Sequence, residues 1–67
     1  MIRITLNGEP REFESDFTLL GLMEHIGVKP ELVAAQHNDA IVDRKAYGNV
    51  AVNDGDTLEL IRIVGGG

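Results

Sequence analysis

A chain of 67 residues makes one small domain, and 43% hydrophobic against 25% charged residues places it among folding sequences, not disordered ones. The net charge of −5, from eleven acids and six bases, weighs against nucleic-acid binding, which needs Lys and Arg to neutralise phosphates. The absence of cysteine excludes disulfides, thiolate metal centres, iron–sulfur clusters and a cysteine nucleophile.

The start, MIRITLNGE, lacks a secretory pattern, and no apolar run approaches the ~18–20 residues of a membrane span. A cytoplasmic protein with no membrane partner is expected. Ile2, Ile4 and Leu6 alternate with Arg3, Thr5 and Asn7, which predicts a first strand with one buried face. Asn7-Gly8 tolerates positive φ and predicts a tight hairpin. Arg11 to Glu14 form the return strand, with Pro10 at its start and Phe13 pointing inward.

Leu19, Leu22, Met23 and Ile26 fall at i, i+3, i+4 and i+7, one helical stripe. Thr18 or Asp16 caps that helix, and Gly27 suits the left-handed position that closes it. Gly21 inside it costs ~1 kcal/mol relative to alanine, and is expected where the helix backbone packs closely on the sheet. Lys29-Pro30 marks the connection that follows.

Val33, Ala35 and His37 share a face of a third strand, Asn38-Asp39 turns the chain, and Ile41-Val42 make a short fourth strand. Asp43 caps a single helical turn, with Tyr47 covering the edge of the core. Val50 and Val52 lead into the turn Asn53-Asp54-Gly55-Asp56. The last strand starts at Thr57, with Leu58 and Leu60 inward. A hairpin, one crossing helix and a long final strand predict an α+β fold, a β-grasp (ubiquitin-like) mixed sheet. Its first and last strands are expected to pair in parallel at the centre. Residues 1–64 are the β-grasp domain and residues 65–67 a flexible glycine tail.

The body offers little chemistry. His25 and His37 lie on different elements without a metal-ligand spacing, and His25 suits the dipole at the end of the helix. Ser15 has no triad context. Asp54-Gly55-Asp56 lacks the spacing of a calcium loop, and the other glycines are too dispersed to cradle a phosphate. No metal and no cofactor bound by this chain are expected, and no enzymatic activity of its own.

What remains is the end, where an apolar strand runs into Gly65-Gly66-Gly67. Three extended glycines carry the terminal carboxylate about 10 Å from the globule. Without side chains they enter a narrow channel and leave the last carbonyl unhindered once it is activated. If Leu58 and Leu60 point inward, Ile61 and Ile63 present apolar surface to a partner; a bulge that turns Ile61 inward is the alternative.

Taken together, the ending resembles that of the ubiquitin-like sulfur carriers, the ThiS/MoaD family. The stretch Asn38-Asp39-Ala40-Ile41-Val42-Asp43-Arg44-Lys45-Ala46-Tyr47 is similar to the Asn-x-x-Ile/Val-Val-Pro-Arg-x-x-Trp segment of ThiS, the thiamine-pathway carrier, and chain length is also similar. Asp43 replaces the usual proline, Tyr47 the usual tryptophan, and Gly65 adds a third glycine.

The resemblance implies that a ThiF-like, E1-related adenylyltransferase activates the carboxylate of Gly67 with MgATP. A sulfur-donating desulfurase system then turns it into a thiocarboxylate, which a ThiG-like thiazole synthase consumes. Gly65 and Gly66 would thread the partner active sites, Ile61, Arg62 and Ile63 would touch the partner, and the free carrier would be a monomer. The tail chemistry alone leaves open a carrier for molybdopterin or cysteine synthesis and a ubiquitin-like modifier. A TGS-like β-grasp binding module shares the opening hairpin and the Asp-Gly-Asp turn, but lacks a free diglycine.

Overall fold

The computed structural model describes residues 1–63. In chain order its elements are β1 (Ile2–Leu6), β2 (Glu9–Phe13), β3 (Phe17–Thr18), α1 (Leu19–Ile26), β4 (Val33–His37), β5 (Ala40–Val42), β6 (Ala51–Val52) and β7 (Thr57–Arg62). Short 3₁₀ segments span Pro30–Leu32 and Arg44–Asn49. The main sheet has the order β2-β1-β7-β4-β5, so the last strand lies at its centre. β7 runs parallel to β1 and antiparallel to β4, and α1 packs across one face, giving the expected α+β grasp.

The two hairpins are built alike. Asn7 and Gly8 have φ of 50° and 81°, and Asn38 and Asp39 have 50° and 70°, the positive values a two-residue hairpin needs to match strand twist. β2 starts at Glu9, two residues before the expected strand, so Pro10 falls within it opposite Thr5. The sheet tolerates this because β2 is an edge strand and the missing N–H breaks no interior ladder.

Burial follows the alternation. Ile2, Ile4 and Leu6 from β1, Phe13 from β2, Val33 and Ala35 from β4 and Leu58 from β7 all face α1. The helix answers with Leu19, Leu22 and Met23, each fully buried. At roughly 1.5–3 kcal/mol for each fully buried side chain of that size, this stripe is what keeps so short a helix in place.

Thr18 is the helix cap: its Oγ1 accepts from the Gly21 N–H at 3.1 Å. Gly27, at φ 83°, ends α1, and the Val28 N–H donates to the Met23 carbonyl at 2.8 Å. Gly21 does not mark close packing on the sheet. A Cβ there would meet Thr18 Oγ1 at 3.3 Å and the Phe17 ring at 3.7 Å, so the crowding comes from the helix's own cap and the residue before it.

Tyr47 covers the core edge as expected. It is buried, and its hydroxyl donates to the Val33 carbonyl at 3.0 Å. Asp43 accepts from the Lys45 N–H at 3.3 Å and begins the Arg44–Asn49 turn. β3 and β6 pair with each other as a second, two-stranded sheet, which the sequence pattern did not announce. Two residues are too few to show a period.

Candidate functional site

Four turn residues position the last strand. The Asn7 N–H donates to the Leu58 carbonyl at 2.9 Å, and its side-chain oxygen accepts from the Leu60 N–H at 2.8 Å. On the opposite flank, the Asn38 N–H donates to the Thr57 carbonyl and its side-chain oxygen accepts from the Thr57 N–H, both at 2.8 Å. Positive φ therefore serves twice at each asparagine: it closes the hairpin and aims a side-chain amide at β7.

Asp54 and Asp56 complete the clamp. The Asp54 carboxylate accepts from the Arg3 N–H at 2.7 Å. Asp56 accepts from the Asn53 N–H at 2.8 Å, from the Asn38 amide at 3.1 Å, and lies 2.7 Å from His37 Nε2. Burial pushes the Asp56 pKa up, but the hydrogen bonds from Asn53, His37 and Asn38 and the attraction of His37 outweigh it and hold the carboxyl below its ordinary value. These acids staple a turn and His37 is part of the staple. Among the described residues no group of three or more His, Asp or Glu could hold a metal ion. His25 packs beside the Phe17 and Phe13 rings, at centroid distances of 5.0 and 5.8 Å.

From this base β7 extends beyond β1, which pairs with it only at Thr5 and Leu6. Ile61 and Arg62 are held by β4 alone, opposite Ala34 and Val33. The Ile63 N–H donates to the Leu32 carbonyl at 2.8 Å and ties Ile63 to the Pro30–Leu32 turn. There is no bulge: Ile61 is 55% exposed and Ile63 46%. Ile61 stands on the open face of the sheet. Arg62 alternates to the helix side, so the expected contact residues divide between two faces.

The open face has a member that sequence reasoning missed. Ile41 is 84% exposed and, with Ala34, Ala35, Gln36 and Ile61, lines a shallow hollow of about 130 Å³. Its signal was strand parity: Val42 opposite buried Ala35 faces the core, which turns Ile41 outward. A three-residue strand made that parity hard to fix. Two large aliphatic side chains exposed on one sheet face, one of them near the end of β7, suit docking better than chemistry. Gly65, Gly66 and Gly67, the residues expected to react or to thread a partner, lie outside the described residues. No helix among the described residues is long and apolar enough to cross a membrane.

Comparison with known proteins agrees with this geometry. The sequence model of the ThiS family matches residues 4–67. The crystal structure of thiamine biosynthesis protein ThiS from Geobacter metallireducens superposes with a TM-score of 0.87 at 28% identity, covering 98% of this chain and all of that one. Thiazole synthases of Paramagnetospirillum magneticum and Magnetococcus marinus are 41% and 42% identical over 66 residues. The chain spans only 20% of the length of those synthases. Protein ycf40 of Pyropia yezoensis is 36% identical over 66 residues, 93% of its length.

Proposed function

This chain belongs to the ThiS family, and from that premise we propose that it carries sulfur for the thiazole ring of thiamine. The observation that supports this most is the family match, which runs through the diglycine at positions 66 and 67. Relatives in which a similar module forms part of a thiazole synthase favour that synthase as the consumer of the sulfur.

In this reading the reacting group is the carboxylate of Gly67. A carboxylate is a poor acyl donor, so a ThiF-like enzyme first uses MgATP: a carboxylate oxygen attacks the α-phosphorus and pyrophosphate leaves. A persulfide sulfur, supplied through a desulfurase system, then attacks the carbonyl carbon and AMP leaves. A thiol then attacks the outer sulfur of the resulting acyl disulfide, forming a new disulfide with it, and the thiocarboxylate leaves as the old S–S bond breaks, ready for a ThiG-like synthase. Glycine leaves the attacked carbon uncrowded, and Gly65 and Gly66 let the chain enter a channel too narrow for side chains.

The globule supplies recognition. Ile61 and Ile63, exposed beside the exit, dock the partner with Arg62 flanking them, and the Asn7 and Asn38 clamps hold that edge rigid, which lowers the entropy cost of binding. The chain is a co-substrate of its partners and supplies no general acid, base or metal.

Intact mass spectrometry tests this. Incubation with a ThiF-like enzyme, MgATP and a sulfur source should add the mass of one oxygen-to-sulfur exchange. Deleting Gly66 and Gly67 should abolish the gain with the thermal unfolding curve unchanged. A truncated chain that is still modified places the reacting group elsewhere and refutes the reading.

A further inference from the structure

The helix side of the sheet holds a second surface, separate from the open face that carries Ile41 and Ile61. Where β7 outruns β1, the end of α1 and the Pro30–Leu32 turn leave a groove of about 620 Å³. Its floor is apolar, including Ile26, Leu32 and Leu60, and Leu32 is 41% exposed. Its charged lining is Arg11 from β2, Lys29 from the connection after α1, and Arg62 from β7.

The charge distribution is improbable by composition. The chain has six basic residues and eleven acidic ones, yet three bases and none of the acids line this groove. The charged contacts among the described residues are Arg3–Glu12 and, when His37 is protonated, His37–Asp56, so none of the three groove cations is paired with a described carboxylate. At the adjoining end of α1, the carbonyls of Met23 and Glu24 already accept from Val28 and Gly27, which reduces the negative end of the helix as a competitor for those cations.

We propose that this groove docks an extended protein segment in which carboxylate side chains alternate with aliphatic or aromatic ones. The apolar floor takes the hydrophobic side chains and the three cations take the carboxylates. The cations come from three separate elements and surround a trough, a geometry that fits a segment better than a single small anion. A polyanion such as nucleic acid would gain the same cations but not the floor, and would meet repulsion from the rest of an acidic surface. Arg62 lies between Ile61 and Ile63, so a partner that grips the end of β7 stands over the rim of the groove. That placement of the partner rests on the carrier reading; the charge and shape of the groove do not.

The test uses the full chain, ¹⁵N-labelled, and a blocked six-residue peptide alternating glutamate with leucine and phenylalanine, titrated to millimolar concentration. Saturable amide shifts should appear at Gly27, Val28, Leu32 and Arg62, and leave Ala34 and Ile41 unmoved. The same peptide with lysine for glutamate should give none. Arg11→Glu with Lys29→Glu, both surface changes, should weaken binding at least about threefold, and Arg62→Glu alone should act in the same direction. Arg44→Glu with Lys45→Glu, an equal charge change on the Arg44–Asn49 turn, should change affinity less. Absence of saturable shifts, equal response to the lysine peptide, or shifts centred on Ala34 and Ile41 each overturn the proposal. None of these readouts involves adenylation, so their failure is separate from a failure of the carrier reading.

Discussion

The two halves of β7 are one strand with opposite duties. At Thr57 and Leu58 it has β1 on one side and β4 on the other, two asparagine clamps, and a side chain with no exposure at all. At Ile61 and Arg62 it keeps only β4, and both side chains are exposed. Six consecutive residues thus pass from the centre of the core to a projecting edge. The contrast shows how a very small domain presents an end rigidly: it spends its hydrogen bonds on the base of the strand, and the far half follows as a lever. Substitutions at the base should therefore cost stability and leave recognition intact, and substitutions at the far end should do the reverse.

The largest effect expected on the body is at the base. Leu58→Ala removes three carbon atoms from a fully buried site between α1 and the sheet, and should destabilise by about 2–5 kcal/mol. In a domain of this size that is a large part of the total. Urea denaturation followed by circular dichroism measures it. A loss below about 1 kcal/mol would mean that the base of β7 does not anchor the strand.

The next effect is smaller and depends on pH. Asp56 has a lowered pKa in the folded chain, so its contribution is complete above the ordinary carboxylate value of about 3.9 and is lost as pH falls through the folded value. Asp56→Asn keeps the shape but weakens the bonds to Asn53 and His37, at a cost of about 1–3 kcal/mol at pH 7. The gap between the native chain and the variant should close as pH is lowered below about 4, because the native carboxyl is then protonated as well. Denaturant midpoints of both chains from pH 7 to pH 2 check this. A gap that stays constant would remove the charge of Asp56 from the account and leave only its shape.

Much of this contrast was legible in the sequence, for reasons that differ by element. Ile2-Ile4-Leu6 and Leu58-Leu60 could be read because five- and six-residue strands show their period, and Asn7-Gly8 and Asn38-Asp39 because few residues tolerate positive φ. The Leu19–Ile26 helix carried both its stripe and its caps. What stayed hidden depends on partners distant in the chain. Nothing local distinguishes an asparagine that only turns the chain from one that also reaches Leu60, 53 residues away. The pairing of Phe17 with Val52, the separation of Arg62 from Ile61, and the gathering of Arg11, Lys29 and Arg62 around one groove are products of tertiary placement too. Gly21 misled because a helix glycine has two readings, and only the position of Thr18 and Phe17 decides between them.

The smallest effect on the fold, and the one that separates the two halves most cleanly, is on the open face. Ile41 at 84% and Ile61 at 55% exposure have little to lose on folding, so Ile41→Ser and Ile61→Ser should each change stability by no more than about 0.5 kcal/mol. If the hollow between them is where the partner rests, each should still weaken binding to a ThiF-like or ThiG-like enzyme by about 1 kcal/mol, roughly fivefold in Kd. The double variant should lose less than the sum, because both side chains line one hollow and are coupled. Calorimetric titration of the three variants against one partner decides it. Affinities equal to that of the native chain would confine recognition to the tail and the helix side, and would leave these two isoleucines as exposed surface without a role.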